Sequence, residues 1–133
     1  DRRFLVEETL DEVRDEVENL LDKLKAERPK FNYDLRELNS VLPSMTDRDA
    51  PVAVSVAKQI EKVMGKPAEF IASPGTYDQK HIDRIGKLKN CVAYGPGILE
   101  LAHKPDEYVS VDDMMDSVRV MARCLADLLL PKE

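Results

Sequence analysis

With 133 residues and a formal charge of -6, the chain has room for one domain or two partial ones and carries no basic face of the kind that grips a phosphate backbone. Its 43% apolar and 35% charged residues suit a globular protein in water. No apolar run nears the roughly 20 residues that cross a bilayer, and no basic-then-apolar leader opens the chain, so a cytoplasmic protein with neither nucleic-acid nor membrane partners is expected.

Arg3 to Val6 is a short β-prone run that reads as a strand already under way, the mark of a piece of a longer chain. Thr9 offers an N-cap and Glu12 completes a capping box. Leu10, Val13, Val17, Leu20, Leu21 and Leu24 then make one apolar stripe on a helix of roughly sixteen residues that Pro29 stops. Phe31 to Leu38 alternates apolar and polar residues, as a half-buried strand does. Asn39 to Asp49 is a linker. Asp49 is placed to cap a second helix with Pro51 in its first turn, Val52, Val56, Ile60, Val63 and Met64 on its buried face, and Gly65 at its end. Ala68 to Ala72 reads as a strand, Ser73 to Thr76 as a turn, Tyr77 to Ile85 as a short helix, and Asn90 to Tyr94 as another strand. Ser110 caps a last helix, with Asp113 at the capping-box position. Its expected buried side is Val111, Met114, Met115, Val118, Met121, Leu125, Leu128 and Leu129, and Pro131 ends it. The expected fold is α/β (mixed α+β): β-α-β over residues 1–40, then α-β-α-β-α over 41–133.

Chemistry concentrates in two connections. His103 lies between a strand and a capped helix, where α/β proteins place functional side chains. A neutral imidazole there can bind zinc, with Asp106 or Glu107 orienting it. By residue type alone a single loop histidine is more often solvated or turn-stabilising. Gly75-Thr76-Tyr77-Asp78-Gln79-Lys80-His81 joins a strand to a helix. Its N–H groups and Lys80 suit a substrate carboxylate, while an ordinary turn with Asp78 as cap explains it equally well. His81 reads as a helix-surface residue. Cys91 and Cys124 have no metal or redox spacing and read as reduced, buried thiols. A catalytic zinc needs about three protein ligands. The chain has two histidines and no HExxH, HxD, GxSxG or P-loop, so no catalytic residue is assigned within it.

The Gly-Thr-x-Asp turn, the strand closing on Tyr-Gly-Pro-Gly, Ala-His-x-Pro-Asp-Glu-Tyr-Val and a final long helix together resemble the C-terminal segment of the zinc amidohydrolases. That family includes acetylornithine deacetylase, succinyl-diaminopimelate desuccinylase and the carboxypeptidase G type. Asp1-Arg2-Arg3 is similar to the Asp-x-Arg strand of the family's lid. The resemblance implies that residues 1–40 are the second half of a lid, or dimerisation, domain and that 41–133 are the C-terminal part of a two-zinc catalytic domain. It implies His103 as a zinc ligand, Gly75, Thr76, Asp78 and Lys80 at the substrate, and Glu107 behind the histidine. It also implies zinc, with cobalt or manganese as substitutes, a small N-acyl amino-acid substrate, a homodimer through the lid, and a missing N-terminal half that holds the other ligands and the general base. The competing reading is a non-catalytic module for dimerisation or small-carboxylate binding. An amino-acid-sensing domain fits less well, because only half of a ferredoxin-like pattern is present.

Overall fold

Helix α1 (Leu10–Glu27) forms where the caps place it. The Thr9 hydroxyl accepts from the Glu12 amide at 3.3 Å, and a Glu12 carboxylate oxygen accepts from the Thr9 amide at 2.8 Å. The computed structural model describes residues 2–3, 5–73, 75 and 77–131. It divides into two units, Asp1–Met45 and Thr46–Glu133.

In the first unit only Val13 of the predicted α1 stripe is buried, and Leu20 stays 57% exposed. Ion pairs tie the helix to its flanks: Arg2 to Glu8 and Glu16, both at 2.7 Å, and Arg14 to Glu37 at 2.8 Å. Exposed pairs of this kind each contribute little. The two β expectations for this unit do not materialise among the described residues. Val6 to Glu8 is a turn closed by Glu8 N–H on Leu5 C=O, while Asp1 and Phe4 of the expected first strand lie outside the described residues. Phe31 and Tyr33 do alternate with exposed Asn32 and Asp34, but no second strand pairs with them among the described residues. Alternation sets which face is apolar, whereas a strand exists only when another strand takes its backbone groups.

The Thr9 amide and hydroxyl hold Glu12 below the usual carboxylate range, and Arg2, with the Leu5 amide, does the same for Glu8. A lowered carboxylate contributes stability above its unfolded pKa and loses it as pH falls through the folded one. The helical circular-dichroism signal of α1 is therefore expected to hold down to about pH 5 and decline below about pH 4. Glu12→Gln should flatten that decline.

The second unit is built on α2 (Pro51–Met64) and α4 (Val111–Leu129), with the short α3 (Gln79–Arg84) between them in sequence. Pro51 opens α2 as expected, but its N-cap is Ala50, which offers no side-chain acceptor; Asp49 lies one residue too early. The cap comes from afar: Asn90 Oδ1 accepts from the Val52 amide at 2.9 Å. Asn90→Ala should cost about 1 kcal/mol in urea unfolding, the usual worth of a cap. No change would show that the bond is not needed. Gly65 ends α2 at φ 68°, in the left-handed region that glycine enters without strain.

α2 and α4 pack on each other. Ser55 and Lys58 reach Asp127 at 3.1 and 2.8 Å, and Arg123 donates to Gln59 at 3.1 Å. Rising numbers on α2 meet falling numbers on α4, so the helices run antiparallel. The residues buried on the two helices are small or modest, Ala53, Ser55, Val56 and Gln59 on α2 and Ser117, Val120 and Cys124 on α4, with Val120 wholly inaccessible. This corrects the expected core. Val56 is buried, but Met64 is exposed, and every large residue assigned to the buried side of α4, from Val111 to Leu129, is at least 41% exposed. Small side chains let two helix backbones approach, and that face, rather than the bulkiest one, meets α2. Burial pushes the Tyr94 phenol up in pKa, opposed by a hydrogen bond with Ser117. Ala68–Ala72 and Asn90–Tyr94 have no ladder partner among the described residues, so the β layers of the expected α/β fold are not formed there. No helix of the described residues is long and apolar enough to cross a membrane.

Candidate functional site

The histidine connection starts at Gly97, whose φ of 99° turns the chain back beside Val109. A 3-10 turn, Leu99–Leu101, follows. His103 and Asp106 both stand at φ 62°, a left-handed conformation that side-chain-bearing residues rarely adopt. Such a conformation costs on the order of 1–3 kcal/mol and persists only where neighbours hold it. Here the holder is Glu107: its Oε2 accepts from the His103 amide at 3.0 Å. Lys104 N–H to Leu101 C=O at 3.0 Å and Glu107 N–H to Lys104 C=O at 3.3 Å close the loop. Glu107 thus fixes the backbone of His103, leaving the imidazole exposed to solvent.

The second connection lies at the start of α3. Gly75 and Asp78 are exposed and Lys80 is half-buried; Thr76 lies outside the described residues. Asp78 occupies the N-cap position without a side-chain cap bond. His81 is exposed on α3, as its sequence setting suggests. Gly75 N–H donates to Ser73 Oγ at 3.1 Å, and Gln79 Nε2 donates to Thr46 Oγ1 at 3.0 Å. The same Thr46 hydroxyl donates to Cys91 C=O at 2.5 Å and receives the Cys91 amide at 3.4 Å. One threonine therefore ties α3 to the segment beyond it. Sequence reasoning missed this junction because its members stand 33 and 45 positions apart and no local pattern joins them. Cys91 and Cys124 are free thiols; Cys124 is buried and Cys91 half-buried.

The bonds of His103 stay within its own loop, and those of the 75–80 segment run locally or to Thr46. Among the described residues no three His, Cys, Asp or Glu side chains are grouped to hold a metal ion. A zinc ion takes about four ligands, so the described residues do not by themselves fit a complete zinc centre.

Of the features that carry the sequence resemblance, the final long helix forms and the histidine loop is closed by its own glutamate, whereas the segment leading into Tyr94-Gly95-Pro96-Gly97 pairs with no strand among the described residues. The chain matches Peptidase family M20/M25/M40 over residues 4–127, and it belongs to that family. It is 31% identical over 128 residues to the succinyl-diaminopimelate desuccinylase of Hydrogenovibrio crunogenus, an alignment covering 96% of this chain and 32% of that protein. It is 34% identical over 131 residues to the succinyl-diaminopimelate desuccinylase of Nitrosospira multiformis, covering 98% of this chain and 32% of that protein. The chain thus spans about a third of the length of these relatives. No solved structure matches it.

Proposed function

We propose that this chain is the C-terminal part of a metal-dependent amidohydrolase that removes an acyl group from an N-acyl amino acid or a related small carboxylate. The family match over residues 4–127 carries the reading, supported by two relatives named as desuccinylases. In it, residues 1–40 are the second half of a lid through which two subunits pair, and residues 41–133 belong to the catalytic domain. His103 supplies one zinc ligand, and Glu107 sets the loop that presents it, a role supported by its bond to the His103 amide. Gly75, Thr76, Asp78 and Lys80 line the substrate pocket, with the Lys80 ammonium facing the substrate carboxylate. The remaining ligands and the general base come from polypeptide outside these residues. The setting is cytoplasmic.

The test is complementation. The chain, co-expressed with the part of the Hydrogenovibrio desuccinylase outside the aligned segment, should hydrolyse an N-succinyl amino acid that neither piece cleaves alone. A folded, zinc-loaded complex with no hydrolysis of N-succinyl or N-acetyl amino acids would overturn the reading.

A further inference from the structure

Helix α3 has six residues and buries none of them. A helix so short is not stable in water by itself, so something outside it sets its place. The backbone bonds at its ends are local: His81 and Ile82 N–H to Asp78 C=O at 2.8 and 3.2 Å, and Ile85 N–H to His81 C=O at 2.8 Å. The Gln79 side chain reaches further, its Nε2 donating to Thr46 Oγ1 at 3.0 Å across 33 positions.

A threonine hydroxyl has one proton to give and two lone pairs to offer. Thr46 uses them all: it donates to Cys91 C=O at 2.5 Å and accepts from the Cys91 amide at 3.4 Å as well as from Gln79. Asn90, the residue before, holds the Val52 amide at 2.9 Å. Residues 90 and 91 are therefore pinned to the 46–52 segment at both of its ends, and Gln79 ties α3 to the same pin. All of these residues lie in the second unit.

Gln79 stands between Asp78 and Lys80. The Asp78 backbone is itself helical, at φ -66° and ψ -13°. Successive side chains on a helix point about 100° apart, so fixing the direction of Gln79 fixes where its two neighbours point. We infer that Thr46 is a positioning residue for the substrate end of the site: through Gln79 it sets the directions of Asp78 and Lys80, and with them the affinity for the substrate carboxylate, without touching substrate itself. The inference rests on the proposed function for the roles of Asp78 and Lys80, while the bonds of Thr46 stand apart from that reading.

The test uses the complex of this chain with the part of the Hydrogenovibrio desuccinylase outside the aligned segment, assayed on an N-succinyl amino acid. Thr46→Val keeps the shape of the side chain and removes every bond of the hydroxyl. Gln79→Met keeps the reach and removes only the bond to Thr46, leaving the pin on Cys91 in place. Each is expected to raise KM roughly tenfold with kcat little changed, and Thr46→Ser to restore the parent KM. The double variant should raise KM no further than Thr46→Val does, because both changes remove the same bond. A purely structural role would lower the melting temperature and leave KM where it was. Gln79→Met with the parent KM, or a double variant whose KM multiplies the two single effects, would overturn the inference and leave the amidohydrolase reading intact. Should Thr46→Val fail to fold, the KM of Gln79→Met decides the matter. A parent complex that hydrolyses no N-acyl amino acid would remove the proposed function and this role together.

Discussion

Val120→Asp is expected to unfold the second unit, while Met121→Asp at the next position leaves the isolated chain folded. Val120 is wholly inaccessible between α2 and α4. The buried side chains of the two helices are Ala53, Val56 and Cys124 and the neutral polar Ser55, Gln59 and Ser117, so no buried cation is there to pair with a carboxylate. An unpaired buried charge costs on the order of 3–5 kcal/mol, a large part of the stability of a domain this small. Met121 is 43% exposed and points into an open crevice, so a carboxylate there remains hydrated. Thermal melts of the two variants decide the matter. A cooperative melt for Val120→Asp near the parent value would mean that the α2–α4 contact is not the core, and loss of the melt in Met121→Asp would mean that the outer face is already packed.

His103→Ala is the second large effect. In the complemented enzyme it should lower amide hydrolysis by more than roughly 100-fold, since even a residue behind a ligand is worth 10- to 100-fold in metal affinity or activity. The melting temperature of the chain should hardly change, because the imidazole is exposed and the backbone amide at 103, which Glu107 holds, is kept by alanine. Hydrolysis within a factor of a few of the parent would remove His103 from the metal.

These two predictions separate what the sequence discloses from what it conceals. Helix ends are local, and Thr9 with Glu12, Gly65, Ser110 and Pro131 are all legible in advance. The cap of α2 is not, because its acceptor, Asn90, stands 38 residues on. Helical periodicity marks the outer face of α4 as apolar without saying which neighbour it meets. Bulk points to that face as the core, yet the small side, with Ser117 and Cys124, is what lets α2 come close. The β-prone segments carry the right alternation at Phe31–Tyr33 and Val92–Tyr94, but a strand is a relation between two segments and its partners are not among the described residues. At the candidate site, the resemblance picks out His103 and Glu107 from their motif. The left-handed backbone at 103 and the carboxylate that holds it become visible only in three dimensions.

The most direct test is the zinc content of the purified chain, alone and in complex with the part of the Hydrogenovibrio desuccinylase outside the aligned segment, after dialysis against trace zinc. The account predicts substoichiometric zinc in the chain alone, since its described residues group no three ligands. It predicts tightly held zinc in the complex, reduced by His103→Ala. Stoichiometric zinc in the isolated chain, or an active complex whose zinc content is indifferent to His103, would contradict it.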